Sequence, residues 1–339
     1  MRIYSQRFRG ALPAVRPLVL ALVLLAAGPA FAQNSFQELK DGIDAFSTQM
    51  ADSLPLNSTL GLNWSDAYIG QLLGVPPHFG TGLAAGITTI KTEKLNGLLT
   101  SFGVPQLPAG VFPNPGYTVE GRIGGFVLPF DLGVKAGYFP PAGGDDFQLR
   151  YLLVGGDLRY ALLKDRLAIP AVSLGFGVNY LSGGILARVG DLNFELDPST
   201  FGSGATLSLV DPSLEFSWET LSFELKAQIS KSFILFTPYG GVGLNYARTK
   251  AGYTAKAAIT PSGGATLDDI AAEYGVEFDG SAGFSSIKEV EGFGLRFFGG
   301  IAFNMAVIKL DISVMAGTGN NFNFGALGYG VTLGVRFQL

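Results

Sequence analysis

The chain has 339 residues, of which 48 are Gly, 27 Phe and 12 Tyr, and it has no Cys and a single His. A charged fraction of 15% against 47% hydrophobic excludes a disordered chain, and the absence of Cys excludes a disulfide scaffold, an iron–sulfur site and a thiol nucleophile. One histidine excludes a multi-histidine metal centre, and a formal charge of −4 argues against nucleic acid as a partner.

The first 32 residues read as a secretory signal. Arg2, Arg7, Arg9 and Arg16 form a positive leader, Leu18 to Ala27 is an unbroken apolar run, and Ala30-Phe31-Ala32 has the small-x-small form of a cleavage site. Gly28-Pro29 stops the run well short of the roughly 20 residues that a spanning helix needs. Removing the leader takes away four basic residues and no acidic one, leaving 19 basic against 27 acidic residues.

Next comes a helical pattern. Phe36, Leu39, Ile43, Phe46 and Met50 recur at spacings of three and four, so Gln33 to Ala51 is expected to be an amphipathic helix, within an amino-terminal segment 33–53 that precedes a barrel domain 54–339. These five apolar residues would plug a lumen, lie against its periplasmic mouth, or bind the membrane surface.

From there to Leu339 no apolar run approaches the length of a spanning helix, and the apolar residues instead alternate over segments of about ten positions, the length with which a tilted strand crosses a bilayer. Tyr117, Val119, Ile123 and Val127 share one face and Thr118, Glu120 and Arg122 the other, because successive side chains on a strand point in opposite directions. Leu132, Val134, Ala136 and Tyr138 oppose Lys135. Between Phe147 and Tyr160 the apolar phase shifts at Gly155-Gly156, which is read as a glycine bulge. Val172 to Tyr180 alternates again, followed by Leu214, Phe216 and Trp218 against Glu215, and by Leu221, Phe223, Leu225 and Ile229 against Glu224 and Lys226. Lys250 to Glu291 reads as the longest external loop, with weak strand signals at Tyr253 to Ile259 and Val276 to Phe278 and a short helix near Asp268 to Tyr274. Lys91 to Gly116 reads as a second external loop, and short turns near Phe130, Asp165, Lys231 and Met305 as periplasmic. Two final strands place Ile308 to Val314 and Leu327 to Leu339 on one apolar face.

A signal peptide, two-faced strands over most of the chain and the ending Gly334-Val335-Arg336-Phe337-Gln338-Leu339 resemble an outer-membrane β-barrel of a diderm bacterium, a porin-like class. Its members usually end in Phe or Trp, whereas here Leu339 is last, with Phe337 on the same face. The expected fold is all-β, a transmembrane antiparallel up-and-down barrel of about 12 strands, with 14 as the alternative. The resemblance implies the bacterial outer membrane as location, its lipid and the barrel-assembly machinery as partners, and small solutes as cargo.

Glu120, Arg122, Lys135, Arg150, Asp157, Arg159, Glu215, Glu224, Lys226, Arg296, Lys309, Asp311 and Arg336 fall on the face expected to point inward. Both signs suit either a water-filled pore or a lumen closed by ion pairs. Three functions are compatible: porin-like passive passage of small solutes, a non-conducting structural or surface-interaction barrel, and an uptake channel for hydrophobic compounds using Phe126, Phe139 and Phe298. No cofactor or metal site is expected, and no enzyme: the sequence has no GxSxG, HExxH or Walker pattern, His78 sits beside two prolines as a turn residue, and Asp268, Asp269 and Glu273 lack the spacing of a calcium loop.

Overall fold

The computed structural model describes residues 33–67, 69, 78–101, 111–124, 129–144, 147–166, 168–188, 192–195, 206–264, 266, 268–269 and 283–338. The signal segment, Phe126, Glu273, Val276 to Phe278 and Leu339 lie outside them.

Helix α1 (Gln33–Ser58) leads into an extended segment that ends beside strand β1 (His78–Lys91). A short helix α2 (Glu93–Ser101) and strands β2 (Val111–Gly124), β3 (Phe130–Gly144), β4 (Phe147–Leu163) and β5 (Ala171–Arg188) follow. Then come the four-residue β6 (Leu192–Glu195) and β7 (Thr206–Ser230), β8 (Phe236–Ser262), β9 (Gly283–Met305), β10 (Ile308–Gly319) and β11 (Asn323–Gln338). Each strand pairs antiparallel with its neighbours, β5 pairs directly with β7, and β6 only extends one edge of β7. β1 pairs with β11 from Gly80 opposite Gln338 to Thr88 opposite Gly330, so the sheet closes and no edge is left to hydrocarbon.

The closed barrel therefore has ten strands, which corrects the expectation of 12 or 14. The excess arose from cutting long strands into membrane-length pieces. β7, β8 and β9 have 25, 27 and 23 residues, more than twice the roughly 9–11 that a tilted strand needs to cross. Ser213 to Glu219 and Leu221 to Ser230 are one strand, Tyr253 to Ile259 is the upper part of β8, and much of the expected loop from Lys250 to Glu291 is paired sheet.

The short turns of β2–β3, β4–β5, β7–β8 and β9–β10 lie at the end where β1 begins and β11 stops. The long connections and the strand extensions lie at the other, so by the usual arrangement of such barrels the first end is periplasmic and the second external. Near the periplasmic end the outer face is a continuous apolar belt that includes Leu83, Val119, Val134, Leu174, Phe176, Phe223, Leu225, Leu244, Phe297, Ile312 and Leu333, all well exposed. That belt is what a bilayer covers.

Candidate functional site: the filled lumen

The chain's own amino-terminal segment occupies the barrel interior. Its contacts with β7 descend in step: the Phe46 ring meets Phe216 edge-on at 5.8 Å, Ser58 Oγ lies 2.8 Å from Ser222 Oγ, Gln228 Nε2 donates to the Trp64 carbonyl at 2.7 Å, and the Ala67 amide donates to Ser230 Oγ at 3.0 Å. The segment thus runs from the external end to the periplasmic one.

The external half is apolar. Ile43, Phe46, Met50 and Leu54 form one stripe of α1 and are buried against the inward residues Tyr151, Leu153, Leu181, Phe216, Trp218, Ala251 and Tyr253. The helix runs seven residues beyond the Ala51 predicted as its end, to Ser58, and includes Pro55, which gives up the backbone bond to Ala51. The side chains of Phe36 and Leu39 lie outside the described set. Above the stripe Lys288 Nζ pairs with Asp44 at 2.7 Å, and the Lys94 amide of α2 donates to Gln49 Oε1 at 3.0 Å.

Below Ser58 the chain is extended and the wall becomes ionic. Lys135 Nζ donates to the carbonyls of Ser58 and Leu60 at 2.9 and 2.6 Å. The Ser58 carbonyl is one that the end of a helix leaves without an intrahelical partner, and Leu60 lies two residues beyond the helix. Gly61 adopts φ +86°, and a Cβ there would stand 2.5 Å from both Glu120 Oε1 and Thr118 Oγ1, so only glycine lets the chain pass this point. Glu120 then accepts from the Leu62 amide at 2.9 Å and from Trp64 Nε1 at 2.6 Å, and the Trp64 ring lies between the guanidinium groups of Arg122 and Arg336, 5.6 and 5.1 Å from its centroid.

At the bottom, Asp66 is held by Lys309 at 2.7 Å and Arg336 at 3.0 Å, while Arg159 donates to its backbone carbonyl at 2.7 Å. Around this centre Arg159 grips Asp131 with two bonds of 2.8 Å, and Arg122 bridges Asp131 and Asp157, the latter at 2.6 Å. Lys226 also reaches Asp157 at 2.6 Å, and Arg296 holds Glu224 through two bonds of 2.6 and 3.0 Å and Asn63 through a third of 2.9 Å. A buried ion pair repays its desolvation only when geometry and further hydrogen bonds are good; Asp131 and Glu224 each receive two bonds from one guanidinium, whereas Arg122 Nε, Arg336 Nε and Asp311 Oδ2 are buried without a hydrogen-bond partner.

Of the thirteen residues expected to face inward, Glu120, Arg122, Lys135, Asp157, Arg159, Glu224, Lys226, Arg296, Lys309, Asp311 and Arg336 come together here. Arg150 and Glu215 do not. They pair with each other on the outer face, about half and a third exposed, above the apolar belt. Their misplacement has one cause. The register of β4 runs unbroken through Gly155 and Gly156 on both sides, so no bulge exists there, and in β7 the even residues from Phe216 to Ser230 are all buried. What changes is the surroundings: above this level the inward face turns apolar and the outer face polar.

Three contributors went unrecognised. Asp131 was readable as the inward start of β3, in phase with Lys135. Asp66 and Trp64 lie in an extended segment without periodicity, and only the excess of cations over anions among the inward wall residues points to a missing carboxylate. Phe298, expected to receive hydrophobic cargo, packs with Leu56, Tyr239 and Met315 under the Arg296 guanidinium, and Phe139 packs against Tyr117 and Tyr151 at the external rim. Among the described residues no group of three potential ligands could hold a metal ion.

No family pattern and no curated protein sequence matches the chain. The fold is similar to solved outer-membrane barrels: the outer membrane protease OmpT from Escherichia coli (10% identity, 81% of this chain and 100% of that one, TM-score 0.42), the translocator domain of the autotransporter NalP from Neisseria meningitidis (11%, 78% and 89%, 0.37), and Ail, the attachment invasion locus protein of Yersinia pestis (10%, 78% and 100%, 0.29). The chain is a closed antiparallel β-barrel of the outer-membrane type.

Proposed function

We propose that this protein is a non-conducting barrel that anchors a surface-exposed β-sheet and its loops in the bacterial outer membrane for contact with another molecule, reached after cleavage of the signal segment and insertion by the barrel-assembly machinery. The observation that carries this reading is the lumen, filled at every level from Phe46 to Ile69 by the chain's own backbone and side chains. Passive passage of small solutes would require that whole segment to leave, breaking buried bonds to Lys135, Glu120, Arg159, Lys309 and Arg336. Uptake of hydrophobic compounds gains no support, since Phe298 is spent on packing.

The reading is non-enzymatic as well. Its support is that Glu120, Asp131, Asp157 and Glu224 are each bonded to a cation of the wall or to the plug, beneath the helix that fills the external half.

The test is conductance in planar bilayers. The full chain is expected to give no stable channel steps, and a chain lacking residues 33–69 to give them. Steady conductance from the full chain would overturn the proposal in favour of a porin.

A further inference from the structure

The direction of the plug has a topological consequence. From Phe46 beside Phe216 down to Ile69, whose amide donates to Asp131 at 3.2 Å, the chain descends from the external end to the periplasmic turns and only then enters β1. Asp41, two residues before the buried Ile43 on α1, is exposed at the external mouth. The periplasmic half of the lumen admits an extended chain, packed against Trp64, Gly61 and the ion pairs. An α-helix with its side chains is roughly 10–12 Å across. Helix α1, once folded, therefore does not fit through that half, filled as it is by wall side chains, after β1 and β11 have paired.

We infer that the barrel delivers its own amino-terminal helix to the outer face of the cell by closing around it, so that the segment near Asp41 is displayed beside the extended sheet of β7–β9. This rests on the outer-membrane reading above. The Lys288–Asp44 ion pair and the contact of Phe46 with Phe216 and with the Tyr253 side of the wall then fix the displayed helix to that sheet, making one composite external surface.

The complete absence of Cys makes the test direct. Single cysteines are placed at Asp41→Cys, at Asp268→Cys in the external β8–β9 connection, and at Ile234→Cys in the β7–β8 turn, where the native side chain is 94% exposed. Each is treated with a membrane-impermeant maleimide in intact cells and again after the outer membrane is permeabilised, with assembly checked by heat-modifiable migration. Thr48→Cys, also exposed on α1, replaces Asp41→Cys if that variant fails to assemble. The inference predicts that the α1 cysteine labels in intact cells as fully as Asp268→Cys and several-fold more than Ile234→Cys. If Asp268→Cys labels in intact cells and the α1 cysteine only after permeabilisation, the inference fails while the surface reading stands. If Ile234→Cys labels in intact cells and Asp268→Cys does not, the orientation is inverted and both fail.

Discussion

The two halves of the lumen are closed by different physics. The external half is an apolar core between a helix and a sheet, in which Ile43, Phe46 and Leu54 meet Leu153, Leu181 and Phe216. The periplasmic half is a network of charges around an extended chain, in which Asp66, Asp131, Asp157 and Glu224 are each gripped by at least one Arg or Lys. The difference follows from what lies outside the wall. Where lipid covers the outer face, polarity is confined to the interior, and backbone groups of an extended plug need polar partners. Where the sheet rises into water, both requirements relax and the interior becomes an ordinary protein core.

The largest effect is expected from Asp131→Ala in the periplasmic half. It strips Arg122 and Arg159 of a shared partner and leaves buried cations uncompensated, at a cost of about 3–5 kcal/mol, read as a large fall in the temperature at which the barrel loses its compact gel mobility. In the external half Ile43→Ala removes packing alone and is expected to cost about 2–4 kcal/mol. Adding a single apolar neighbour should partly restore the second variant but not the first.

The outer face separates the halves in the opposite sense. Arg at Leu225, inside the apolar belt, is expected to cost about 2–4 kcal/mol, while Arg at Ser217 on the same face of the same strand should cost ~0–1 kcal/mol because it meets water. Equal costs at the two positions would place the upper part of β7 in the bilayer.

The smallest effect concerns the periplasmic turn between β4 and β5. Asp165 there is partly desolvated, which raises its pKa, but bonds from Lys231 and from the Ser232 amide at 2.7 Å outweigh this and hold it below the ordinary carboxylate value. A depressed carboxylate contributes stability that is complete above the unfolded-state pKa near 4 and is lost as pH falls through the lower folded value. Asp165→Asn should remove that acid-side loss and leave neutral-pH stability slightly reduced, as followed by thermal unfolding between pH 3 and 7.

The same contrast explains what the sequence revealed. The belt region was legible because lipid outside and polar groups inside force alternation, so Thr118, Glu120 and Arg122 declare their face against Val119 and Ile123. Above the belt the pattern inverts without any slip of the chain. Reading apolar as outward there moved Arg150 and Glu215 to the wrong face, invented a bulge at Gly155-Gly156 and divided β7 at Thr220. A one-residue slip and a change of surroundings give the same pattern of letters. Only the pairing partners, Gly155 with Lys135 and Asn179 and Thr220 with Thr249, distinguish them. The extended plug from Thr59 to Ile69 was illegible for a different reason. Its order comes from long-range bonds to wall residues rather than from a local period.

The central claim is that the amino-terminal segment fills the barrel, and a pair of cysteines tests it most directly. Ser58 Oγ and Ser222 Oγ lie 2.8 Å apart, deep between the two halves, in a protein with no other thiol. The double variant Ser58→Cys, Ser222→Cys is expected to form an intramolecular disulfide on mild oxidation of the assembled protein, detected as loss of both thiols and as an altered mobility after boiling that reductant reverses. Two thiols that stay free and reactive in an assembled barrel would place the segment outside the lumen and contradict the account.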